Sequence, residues 1–123
     1  MSKQTFPVFV DQPGCTMRNF AIDGSAVGAS AGTAGLDGRG RYLCTISKAS
    51  NVVTINWNPS FGDVPYVFFQ TGVGQTNTLV EIVSSTAAQL VYQTVQAADG
   101  TTPVLDADLL VHVDSYNCTN YVS

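Results

Sequence analysis

From Arg41 onward, apolar residues recur at every second position in short blocks, and Gly, Pro, Asn or Asp separates the blocks. A period of two places successive side chains on opposite faces of an extended strand. Arg41–Ser47 puts Tyr42, Cys44 and Ile46 on one face, and Val52–Trp57 groups Val53, Ile55 and Trp57 opposite Val52, Thr54 and Asn56. The turn residues Ala49-Ser50-Asn51 join the two segments into a predicted hairpin. Pro65–Thr71 is apolar on both faces, Tyr66 and Phe68 on one and Val67 and Phe69 on the other, which predicts a central strand. Thr78–Val83, Gln89–Val95 and Asp108–Val113 read as further strands, the last with Leu109, Val111 and Val113 together and His112 on the opposite face. No segment carries a convincing 3.6-residue period, and turn signals recur at the spacing of a sandwich or barrel.

The first forty residues break this pattern. Thr5–Val10 reads as an extended segment in which Pro7 removes an amide donor, as suits an edge strand or an arm. Gly24–Gly40 holds six glycines and four alanines in seventeen residues, too little side chain to build a core of its own. It reads as a mobile loop, or as a demanding one packed tightly against something. The expectation is one all-β domain, an antiparallel β-sandwich of jelly-roll-like form. Residues 1–40 form an N-terminal arm and Gly-rich loop, and residues 41–123 form the sandwich body.

Composition narrows the functional classes. Charged residues are only 11% of the 123, the net charge is −4, and no Lys or Arg follows Lys48. Binding a phosphate backbone takes clustered cations, so nucleic acid and anionic membrane are not expected partners. No apolar run is long enough to span a bilayer, and Met1–Val10 does not resemble a signal peptide. The three cysteines, Cys15, Cys44 and Cys118, form no metal-binding spacing, and Cys44 reads as a buried reduced thiol.

Candidate chemistry is sparse. Gly28-Ala29-Ser30-Ala31-Gly32 matches a nucleophile-elbow string, but it lies in the Gly/Ala-rich stretch and lacks the surrounding α/β sheet. His112 alone has an unperturbed pKa suited to acid–base work near neutrality, and its strand position reads as a surface or interface residue. Asp106 and Asp108, with Asp99 and Asp114 nearby, could offer oxygens to calcium but lack the loop pattern of a calcium site. No catalytic, cofactor-binding or metal-binding residue is therefore assigned, and no enzymatic activity is expected. Asn117-Cys118-Thr119 is a glycosylation string without a secretory context, and Gly72–Gly74 lacks the lysine of a phosphate loop.

That leaves the aromatics. Most belong to strands and are expected in the core. Trp57 and Phe61 frame a loop and read as anchors of a docking surface, while Phe6, Phe9 and Val10 read as anchors of the arm. The arm is either the sandwich's own first strand or a strand lent to a neighbour.

Val52-Val53-Thr54-Ile55-Asn56-Trp57, Phe61-Gly62-Asp63-Val64-Pro65-Tyr66-Val67 and Val104–Val113 together resemble small β-sandwich modules of tailed-phage virions. Capsid decoration (cement) proteins and fibre-tip domains share this order of apolar strand, Phe loop, Pro, aromatic strand and final strand introduced by acidic residues. The resemblance implies a virion structural protein, made in the host cytoplasm. It would bind the capsid exterior as a dimer or trimer and clamp major capsid protein subunits. The same segments also resemble H-type lectins, without a match to that family's sugar-binding residues. The alternative expectation is thus a carbohydrate-binding fibre-tip module with Trp57, Tyr66 or Tyr116 as a stacking platform.

Overall fold

The computed structural model describes residues 17–28, 32–72 and 77–115. Eight strands follow in chain order: β1 (Met17–Ile22), β2 (Thr33–Leu36), β3 (Tyr42–Ala49), β4 (Val52–Trp57), β5 (Tyr66–Thr71), β6 (Thr78–Ser85), β7 (Gln89–Gln96) and β8 (Leu109–Asp114). They form two antiparallel sheets, a small one ordered β1-β8-β5 and a large one ordered β2-β3-β4-β7-β6. The chain crosses between sheets from β1 to β2, β4 to β5, β5 to β6 and β7 to β8. The fold is therefore a single all-β sandwich in which four connections cross between the layers, while β2-β3-β4 and β6-β7 follow one another within the large sheet.

The period-two pattern gives each sheet one apolar face, and the two faces meet. Phe20 and Ile22 of β1 and Leu109, Val111 and Val113 of β8 pack against residues of the large sheet that include Cys44, Ile46, Ile55 and Leu90. Val53, Ile55 and Trp57 are buried together, and Asn56 is exposed, as the alternation of β4 requires. On β3 the alternation breaks at one end. Gly35 pairs with Cys44 but Leu36 pairs with Tyr42, so Leu43 is the extra residue of a bulge. Leu43 is thus buried beside Cys44, and Tyr42 turns outward.

Two expectations need correction. Residues within 1–40 include two true strands, β1 and β2, one in each sheet, so that region is not only arm and loop. The glycine-rich stretch folds tightly because its backbone needs close approach. A Cβ on Gly24 would lie 2.5 Å from the Ala107 carbonyl oxygen, and one on Gly35 would lie 2.4 Å from the Cys44 sulfur. The second correction concerns β5, which among the described residues is an edge strand, while β8 lies between β1 and β5 in the small sheet. Its second apolar face is not covered by a neighbouring layer but exposed. The arm segment Thr5–Val10, with Phe6, Phe9 and Val10, lies outside the described residues, as do Cys15, Ser30, Tyr116, Asn117 and Cys118.

Candidate interaction surface

The expected docking anchors Trp57 and Phe61 are in the core, at 5% and 4% exposure, and so cannot serve as surface anchors. The Trp57 ring meets Phe20 and Phe61 edge to face, with centroids 6.1 and 5.3 Å apart. Phe61 is drawn inward because the loop after β4 turns back, its amide donating to the Ala87 carbonyl at 2.8 Å. The Arg18 guanidinium covers the Phe61 ring at 4.0 Å and donates from Nη1 to the Leu43 carbonyl at 3.3 Å. Burial draws Arg18 down to about 10, which still leaves it charged at neutral pH. Sequence reasoning missed this closure because Arg18 lies far from Phe61 along the chain. Only the β1–β8 pairing brings it into place.

Lys48 and Arg41 make internal contacts as well. Lys48 Nζ bonds Asp106 at 2.8 Å and the Leu105 carbonyl at 3.0 Å, and it also bonds the Gly24 carbonyl. Arg41 Nε donates to Asp37 at 2.7 Å. The acidic residues considered for calcium are separately occupied. Asp108 accepts the Gly24 amide at 3.0 Å, and Asp99 caps its own turn through the Thr101 and Thr102 amides. Among the described residues no group of three or more metal-ligating side chains comes together. Cys44 is a free, buried thiol, as expected, and burial pushes it up to about 12.

The surface that stands out is the outer face of the small sheet. Cross-strand pairing sets it out in rows: Asn19, His112 and Phe68 in one, Ala21, Leu110 and Gln70 in the next, with Asp114 and Tyr66 side by side beyond. Tyr66, Phe68 and Leu110 are each more than half exposed. Such large apolar groups contiguous on one face mark a contact surface more often than chance scatter does. His112 sits at its centre. Its Nδ1 bonds Asn19 Oδ1, its Nε2 lies 3.0 Å from Asp114 Oδ2, and its ring centroid lies 6.1 Å from that of Phe68. These partners fix the ring, so the face is a rigid platform with an apolar rim and a polar centre. A hollow of about 450 Å³ opens on it, lined mainly by Asn19, Phe68, Gln70, Leu110 and His112.

The sequence placed His112 correctly, opposite Leu109, Val111 and Val113, all three of which are buried. It also put Tyr66 and Phe68 on one face, but reading β5 as buried on both faces hid that this face is open. Comparison with family models, with curated proteins and with solved structures finds no match for this chain.

Proposed function

We propose that this chain is a virion structural protein that docks on the exterior of a phage capsid and clamps neighbouring major capsid subunits. The observation that supports this reading is the outer face of the small sheet, where Tyr66, Phe68 and Leu110 stand exposed around a fixed polar centre. Such a face suits a protein partner, because aromatic and aliphatic anchors supply burial and a few placed polar groups supply orientation. A shell presents many equivalent sites, so modest single contacts would add through multivalency when copies associate as dimers or trimers.

The test is cosedimentation of purified protein with capsids that lack it. Wild-type protein is expected to travel with the shell, and Phe68→Asp with Leu110→Asp is expected to remain in the supernatant while keeping its β-sheet circular dichroism. Retained binding by the double variant would remove this face from the proposal.

A second reading rests on the same face. Phe68 and Tyr66 could stack on a sugar while Asn19, Gln70 and His112 offer hydrogen bonds, in the manner of a fibre-tip module. Glycan-array binding that is lost in Phe68→Ala, without affinity for capsids, would establish that reading instead.

A further inference from the structure

Among the described residues the two sheets are unequal, three strands against five, and the large sheet extends past the small one on the β6 flank. Phe69 of β5 packs on Tyr92 of β7 with ring centroids 4.9 Å apart, so β5 lies over β7. Beyond β7 the large sheet continues to β6, and no strand of the small sheet lies above it among the described residues. Ile82 of β6 stands beside Tyr92 in the cross-strand register and therefore points to the inner face. Yet Ile82 is half exposed, whereas Tyr92 is 1% exposed. A hollow of about 530 Å³ lies between the two edge strands, bounded by Val67, Phe69, Leu79 and Val80 and by the polar side chains of Gln70, Thr71 and Thr78.

The backbone at this edge is ready to pair. The Gly72 amide bonds the Asp108 carbonyl at 3.1 Å, which continues the β5–β8 register. In an antiparallel ladder, residues two apart turn their amide and carbonyl to the same edge. Tyr66, Phe68 and Gln70 therefore bond toward β8, and Val67, Phe69 and Thr71 turn theirs to the free edge. The side chains of Val67 and Phe69 pack against the core.

We propose that Thr5–Val10 of the same chain fills this position as a fourth strand of the small sheet, antiparallel to β5. In this register Phe6, Val8 and Val10 lie opposite Thr71, Phe69 and Val67. Direction follows from where the segment must rejoin the fold. Met17 and Tyr66 both pair with Asp114, so they share one end of the small sheet, and the segment runs toward that end while β5 runs away from it. Reach suffices: three strand spacings are about 14 Å, and the six residues 11–16 extend to about 20 Å. Pro7 decides which side chains face inward. A residue opposite Phe69 or Val67 needs its amide for the ladder, and Pro7 has none to give. Placing Phe6, Val8 and Val10 in those pairs turns Pro7 to the outer edge, where no donor is needed. The three apolar side chains then cover Ile82 and Val80, and Phe9 stands beside Phe68 on the outer face.

Two measurements on the full-length protein test this, and neither needs a capsid. Amide exchange followed by NMR is expected to find the Val67, Phe69 and Thr71 amides slowed on the order of 100-fold relative to an open edge. Exchange at open-edge rates would overturn the proposal. Phe9→Cys with Phe68→Cys, in a Cys15→Ser, Cys118→Ser background, pairs two outward-facing positions at disulfide distance. Oxidation of dilute protein is expected to give an intramolecular disulfide in more than half of the molecules, with Val10→Cys and Phe68→Cys giving little. A disulfide formed mainly between chains would assign the groove to a neighbour's arm and overturn the placement within one chain, and no disulfide would overturn the register.

Discussion

The two flanks of the sandwich are built to different standards. On the β1–β2 flank, Phe20, Trp57 and Phe61 lock edge to face under Arg18, and Gly35 lets β2 lie directly on Cys44. On the β5–β6 flank, Ile82 and Phe68 are half exposed or more, and a hollow separates the two edge strands. Both flanks are rich in large apolar side chains, so composition does not set them apart. What differs is whether another layer lies over the face that carries them. A residue's hydrophobicity says that it can be buried, and the layering of the sheets says whether it is.

The sharpest test of that contrast removes an aromatic from the closed flank. Trp57→Ala takes away an indole that touches Phe20 and Phe61 and leaves a cavity the neighbours cannot fill. A loss of about 3–5 kcal/mol is expected, read from chemical denaturation of wild type and variant. A loss below about 1 kcal/mol would mean the closed flank is no better packed than the open one.

The contrast also explains what could be read from the chain beforehand. The alternation in Val52–Trp57 and Asp108–Val113 fixed which side chains of β4 and β8 face the core, because a period of two leaves no other choice. Trp57 was misjudged because its position at a strand end before a loop suggests exposure. The residues that close over this cluster, Phe20 on Trp57 and Arg18 on Phe61, come from β1, a strand whose MRNFAI sequence alternates too weakly to announce itself. β2 was missed for a related reason: Thr33-Ala34-Gly35-Leu36 has almost no side chain to show a pattern, and its strand form depends on β3. The candidate surface was half legible. Tyr66 and Phe68 were assigned to one face, but which face of a sheet meets another layer is a long-range property that no local pattern carries.

A smaller effect is expected at Gly35. Gly35→Ala would place a methyl against the Cys44 sulfur, with the Ile46 Cδ1 at 3.3 Å, and overpacking of this kind costs about 1–3 kcal/mol. Combining it with Cys44→Ala should recover part of the loss, giving a coupling above about 0.5 kcal/mol in a double-mutant cycle. Purely additive losses would show that the close approach of β2 to β3 is not what tightens this flank.

Cys44 also serves as a chemical probe of the same region. Its thiol is raised to about 12 because burial disfavours the thiolate, the reactive form. In a Cys15→Ser, Cys118→Ser background, native protein at pH 8 is expected to resist alkylation until it opens, and Trp57→Ala is expected to label faster in step with its lost stability. Rapid labelling of the otherwise native protein would mean that the closed flank admits solvent.

The smallest effect on stability is expected at the open flank, and it is the one that separates adhesion from packing. Phe68 is as large as Phe61 and lies only a short way along the chain, yet it is 57% exposed. Phe68→Ser removes little buried area and leaves His112 held by Asn19 and Asp114, so the change in unfolding free energy should stay within about 0.5 kcal/mol. Its cost should appear instead in association, as weaker retention on the shell or weaker self-association in sedimentation. A loss of 2 kcal/mol or more in the isolated monomer would place Phe68 among the groups that hold the fold together. The outer face of the small sheet would then be explained by packing alone.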